Sequence, residues 1–268
     1  MIRKAAVAGH FYPGDRDVLV GFLKQRLKSE GELLPAKAIV VPHAGYPYSG
    51  SVAASVYSKV VLPRRLIILC PNHTGMGAPF AIMSEGAWET PLGDAEIDEA
   101  LATRIKALAP FVEESALAHR DEHSLEVQLP FLQQLLGNDF QFVPLCLGSI
   151  AYEPLVQLGR ALGQAITEIQ GEALMIASTD LNHFESAEVT VRKDEMAINE
   201  ILALRSRGLY ETVQRHRITM CGVGPTIAVV EAAKALGASR GTLLGHLHSG
   251  QVTGENRRVV GYAGIAIC

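Results

Sequence analysis

The sequence predicts an α/β fold: a single domain over residues 1–268, with a largely parallel or mixed central sheet and helices on both faces. Short apolar runs such as Ala38-Ile39-Val40-Val41, Leu66-Ile67-Ile68-Leu69-Cys70 and Ala173-Leu174-Met175-Ile176-Ala177 have the character of strands buried on both sides. Between them lie segments whose apolar residues recur at helical spacing, so strands and helices alternate. No low-complexity linker or internal repeat interrupts that alternation.

In chain order, Gly9-His10-Phe11-Tyr12-Pro13-Gly14-Asp15 reads as a turn. Asp15 caps a helix over 16–28, whose apolar positions are Val18, Leu19, Phe22, Leu23 and Leu27. A strand over 37–42 ends at Pro42-His43, and a small-residue helix starts at Ser49. The strand 66–70 ends in Pro71-Asn72-His73, repeating the pattern of buried strand, proline and histidine. An edge strand is expected over 80–83, and a helix opened by Thr90-Pro91-Leu92-Gly93-Asp94 with Ile97, Leu101 and Ile105 inward. A loop over 110–121 leads to a helix over 121–132, acidic in its first turn and kinked at Pro130. Then come a strand over 140–147, a helix over 153–169, a strand over 173–178 and helices over 189–204, 208–215 and 225–236. Strands over 241–248 and 258–267 close the chain, joined by a glycine-rich turn.

Hydrophobic residues make up 48% and charged residues 19%, an ordinary globular composition. A net charge of −4, with basic pairs no longer than Arg64-Arg65 and Arg257-Arg258, argues against a nucleic-acid partner. No apolar run is long enough to span a membrane, and no targeting segment is visible, so the expected location is the cytoplasm. Cys70, Cys146, Cys221 and Cys268 are scattered, which argues against a disulfide framework. No nucleophile elbow, Walker loop or dinucleotide fingerprint is present.

His43, His73 and His183 each follow a buried strand. If those strands are parallel neighbours, the three imidazoles face one crevice at their carboxyl ends, where open α/β sheets bind ligands. One such histidine is most simply a loop cap, but three at corresponding positions point to a divalent transition metal. Asp180, three residues before His183, either orients that imidazole or caps the turn. Cys221, beside Gly222 at a helix start, suits a ligand or a nucleophile with a dipole-lowered pKa, or is simply a small residue in a tight turn. Glu126 reads as a surface or helix-turn residue, His123 is open, and His246 and His248 form a minor rival site. His119 and His216 read as surface residues, and Tyr46 and Tyr48 as candidates for the pocket wall.

At these positions the chain resembles the Memo (MEMO1) family, known in prokaryotes as AmmeMemoRadiSam system protein B. The carriers are Ala8-Gly9-His10-Phe11-Tyr12-Pro13-Gly14-Asp15, Pro42-His43-Ala44-Gly45-Tyr46, Pro71-Asn72-His73, Asp121-Glu122-His123-Ser124-Leu125-Glu126, Ser178-Thr179-Asp180-Leu181-Asn182-His183 and Cys221-Gly222. His10 and His248 depart from the family's pattern. The resemblance implies a fold like that of LigB-type class III extradiol dioxygenases, whose non-haem iron sits at the strand ends. It also implies His43, His73 and Cys221 as metal ligands, with the cysteine replacing a glutamate, and His183 as acid–base with Asp180 its acidic neighbour. The metal expected is Fe(II), with copper or zinc as alternatives because a thiolate softens the donor set. Two functions follow: a metal-dependent oxidoreductase resembling the dioxygenases, or a non-catalytic protein whose crevice binds a metal, a small molecule, a peptide or a modified protein partner. The system name implies radical-SAM and AMMECR1-like protein partners.

Overall fold

The computed structural model describes residues 1–28, 31–169 and 172–268. Its frame is four parallel strands lying side by side in the order Gln141–Leu147, Arg65–Pro71, Leu174–Ser178 and Ala38–Val41. Their register pairs Cys70 with Cys146, Ile68 with Ile176 and Val41 with Ser178, so all four carboxyl ends lie along one edge. Ala38–Val41 and Leu174–Ser178 are buried at every residue, as parallel strands covered on both faces must be.

Among the described residues this frame extends into a twelve-stranded mixed sheet. Val259–Ile267 runs antiparallel to Ala38–Val41, and Gly241–His248 antiparallel to Val259–Ile267. Alternation along Arg65–Pro71 divides the core in two: Ile67 and Leu69 face one apolar cluster, Leu66, Ile68 and Cys70 the other. The first cluster is closed by the helices Tyr152–Glu168 and Val223–Ala235. They pack closely enough that a Cβ on Gly159 would stand 2.5 Å from the Ala228 carbonyl oxygen. The second is closed by Arg16–Arg26, capped by Asp15, by Tyr46–Tyr57 and by Leu129–Leu136.

The expected helix opening at Thr90 is instead a hairpin. Ala87–Thr90 pairs antiparallel with Gly93–Ile97 across a Pro91-Leu92 loop, with Gly93 at φ +117°. Alternation of buried Trp88, Thr90, Ala95 and Ile97 sets these strands, and the helix begins only at Glu99, capped by Asp98. The expected loop over 110–121 holds a short strand, Glu113–Glu114, and a helical turn, Ala116–Arg120. Pro130 does not kink a continuous helix: a break separates His123–Glu126 from Leu129–Leu136, and Pro130 sits in the second helix's first turn, where its missing N–H costs nothing. Among the described residues no helix is long and apolar enough to cross a membrane.

Candidate metal centre

The carboxyl edge of the parallel frame delivers four of the sequence-predicted residues. His43 follows Ala38–Val41, His73 follows Arg65–Pro71, and Asp180 and His183 follow the strand between them, Leu174–Ser178. His43, buried to 2% exposure, has its Nδ1 3.0 Å from Ser178 Oγ. That hydroxyl gives its own proton to the Ser124 carbonyl (2.6 Å) and accepts from Gln128 Nε2 (2.9 Å). It therefore accepts from His43 as well, which fixes the proton on Nδ1 and leaves the Nε2 lone pair facing the crevice. Burial, reinforced by the neighbouring histidines, pushes His43 well below the usual imidazole range, so it is a neutral donor.

His73 is fixed in the same sense by a different partner. Glu122, fully buried, accepts from the His73 backbone N–H (2.6 Å) and lies 2.9 Å from its Nδ1. The same carboxylate accepts from the Ser124 N–H and hydroxyl, at 2.9 and 2.6 Å. Burial alone would raise Glu122, but the His73 and Ser124 donors outweigh it and hold the carboxyl at about 2. A carboxylate so held accepts only, so His73 donates from Nδ1 and turns Nε2 inward. Burial opposes protonation of His73, yet Glu122 overcomes it and the imidazole is raised.

The third imidazole is His123, which sequence reasoning left open. It stands at the start of the turn His123–Glu126, stacked on His73 at 4.7 Å between ring centroids and edge-on to His43 at 5.5 Å. Phe11 covers it at 4.4 Å, and burial lowers it to about 4 against the pull of Glu122. His43, His73 and His123 each offer a ring nitrogen within 4.8 Å of the others, the one such group of three or more among the described residues. The signal in the sequence was the Glu122-His123 pair, in which one residue braces His73 and the next lines the same crevice.

Cys221 lies outside that group but against it, its Sγ 3.3 Å from His43 Nε2. The Asp180 N–H donates to the sulfur at 3.2 Å. Gly222 permits this approach, since a Cβ there would fall 2.6 Å from the Ser178 carbonyl oxygen. The dipole-lowered thiol expected from the sequence is reversed. Burial, then the Asp180 charge, pushes Cys221 well above the usual thiol range, because the sulfur is shielded in the turn ahead of Val223–Ala235.

Asp180 and His183 do not form the pair their spacing suggested. Asp180 Oδ1 accepts from the His43 and Ala44 N–H groups, at 2.8 and 3.3 Å, and burial raises its carboxyl to about 7. Its donors are thus amides just past the end of the neighbouring strand Ala38–Val41. His183 instead places Nδ1 2.9 Å from the Thr219 carbonyl oxygen.

Other expectations change too. Glu126 is fully buried and binds Arg3 (2.5 Å), the Ala6 and Val7 amides (2.8 and 3.1 Å) and the Tyr12 hydroxyl (2.7 Å). His119 is buried at 0% exposure, whereas His216 is on the surface. Tyr46 belongs to the core, its hydroxyl donating to the Val127 carbonyl, while Tyr48 is exposed. His246 is engaged by the buried Asp194 at 3.0 Å; neither it, His248 nor His10 joins the three-imidazole group.

The family model described as "Memo-like protein" matches residues 3–266. The chain belongs to the Memo family. Among relatives of this Memo chain, a MEMO1 family protein of Methanopyrus kandleri is 42% identical, covering 99% of this chain and 98% of that one. MEMO1 family proteins of Aquifex aeolicus and Pyrobaculum aerophilum are 41% and 43% identical, each covering 98% of both chains. Among solved structures, an uncharacterized protein of Escherichia coli K12 is similar in fold alone, with TM-score 0.55 and 13% identity over 84% of this chain and 98% of its own.

Proposed function

We propose that this Memo-family protein binds one divalent transition metal, Fe(II) in the first place, and uses it as an oxidoreductase resembling the extradiol dioxygenases. The observation that carries the reading is the convergence of His43, His73 and His123, with Ser178 and Glu122 holding the outer nitrogens of the first two. The group fits a metal: His43 and His123 are held neutral by burial, so neither proton must be displaced first. His43 and His73 are the core ligands, and His123 and Cys221 the further donors. A metal bound there supplies Lewis acidity and positions open to small ligands. The residues around it hold and move protons: His183, its Nδ1 held by the Thr219 carbonyl, acts as base through Nε2, while the Asp180 carboxyl, raised to about 7, holds a proton where its Oδ1 meets the His43 and Ala44 amides.

Protein purified without a tag is expected to carry near-stoichiometric metal by elemental analysis. His43→Ala and His73→Ala lose it, while His123→Ala and Cys221→Ala weaken it. Stoichiometric metal that survives His43→Ala and Cys221→Ala sinks the assignment. Oxygen consumption by iron-loaded protein with a panel of catechols, abolished in His183→Ala, supports the enzyme reading; silence across the panel favours the non-catalytic one. Glu122→Gln keeps the shape but weakens the acceptor that orients His73, and lowers metal affinity by roughly 10–100-fold in a competition titration. An unchanged affinity removes Glu122 from the site's construction.

A further inference from the structure

We propose that Thr219, braced by Asn182, is the positioning element that presents His183 to the crevice in a single tautomer, with Nδ1 protonated and Nε2 bare. The proposal deepens the reading of His183 as the acid–base group, and its test does not depend on turnover.

A carbonyl oxygen only accepts, so a His183 Nδ1 lying 2.9 Å from Thr219 O carries the hydrogen. Thr219 also grips the main chain of the same residue, its Oγ1 accepting the His183 N–H at 2.7 Å. One residue thus fixes both where the histidine backbone lies and which way its ring turns.

Thr219 belongs to no helix or strand and is exposed, so something else must hold it in place. Asn182 does so from the buried side. Its Oδ1 accepts the Thr219 N–H at 3.2 Å and lies 3.2 Å from the Thr219 hydroxyl. Its amide nitrogen donates to Glu185 at 2.8 Å and to Thr190 at 3.3 Å, while its own N–H donates to Asp194 Oδ1 at 2.9 Å. Glu185 is a carboxylate held low by Lys193, so it accepts only and sets the Asn182 amide with oxygen toward Thr219. Thr190 and Asp194 belong to the helix Ala187–Leu202, which ties the clamp to a rigid element.

The backbone marks the spot independently. Phe184 sits at φ +62° and is 62% exposed, a left-handed conformation that a bulky residue adopts only when its neighbours force it. The flanking residues supply that force: His183 is bound to Thr219, and Glu185 to Asn182 and Lys193. Asp180, spent on the His43 and Ala44 amides, is not available for the task.

The test is long-range proton–nitrogen correlation on the full chain with 15N-labelled histidines. It is run at neutral pH, where burial keeps His183 uncharged. The His183 signals are assigned by their loss in His183→Gln. Wild type is expected to show the Nδ1–H tautomer. Thr219→Val keeps the shape but loses the hydroxyl's contacts to the His183 N–H, the His183 carbonyl and Asn182, and shifts the tautomer ratio toward Nε2–H by roughly five-fold, the loss of about one hydrogen bond. Thr219→Ser retains the wild-type pattern. Unmoved His43 and His73 signals show that the variants fold. An Nε2–H tautomer in wild type, or a Thr219→Val spectrum identical to wild type, overturns the proposal. Failure of the acid–base reading shows separately, as oxygen consumption that survives His183→Ala.

Discussion

Glu126→Ala costs about 3–5 kcal/mol of folding stability, read as a fall in the urea midpoint with an unchanged slope. The carboxylate is fully buried and the Arg3 side chain nearly so, the latter lying over the Trp88 ring at 4.0 Å. Removing the acid strands a buried guanidinium whose remaining acceptors are the carbonyls of Lys4, His119 and Glu122. It also removes the acceptor of the half-buried Ala6 and Val7 amides and strands the buried Tyr12 hydroxyl. The Arg3→Met/Glu126→Leu double variant recovers part of the loss, because no unpaired charge remains, but not all of it, because the amides do. A Glu126→Ala loss under 1 kcal/mol shows that the strap over residues 3–12 rearranges freely and that the carboxylate does not hold it.

That strap explains why the site was only partly legible in the sequence. His43 and His73 were visible because a buried strand is an apolar run, and whatever follows it emerges at the strand's end. The parallel register then brings such ends together without further information. His123 enters from a segment outside the parallel frame, folded over the strand ends by long-range contacts. Glu122 reaches His73, Ser124 receives the Ser178 hydroxyl, and Glu126 takes Arg3 across more than a hundred residues of chain. No local period encodes such pairings. Asp180 stayed open for a related reason: spacing along the chain allowed it either to orient His183 or to cap the turn, whereas its donors are amides just past the end of a neighbouring strand. The hairpin over 87–97 was misread because Ile97, Leu101 and Ile105 fall at helical spacing although the first lies on a strand, and its Pro91-Leu92 loop lacks the usual glycine-asparagine signature.

His119 sets the pH dependence of the same region. It is fully buried, its two ring nitrogens have no protein partner, and its ring meets Trp88 edge-on at 5.6 Å. Burial, followed by the charge of Arg3, whose Nε donates to the His119 carbonyl, pushes the imidazole down to about 3 from the ordinary 6.5. The unfolded chain therefore binds a proton between pH 6.5 and about 3 that the folded chain refuses. Stability from this residue is fully present above pH 6.5 and is lost as the pH falls through that window, by about 1.4 kcal/mol per unit. Subtracting the urea-derived stability of His119→Gln from that of wild type at each pH isolates the effect from the other titrating groups. The difference is expected to be flat above 6.5 and to fall steadily in acid, so that the variant gains on wild type. A difference flat across the whole range means that His119 finds a partner for its added proton, and then the packing of Arg3 against it must loosen in acid.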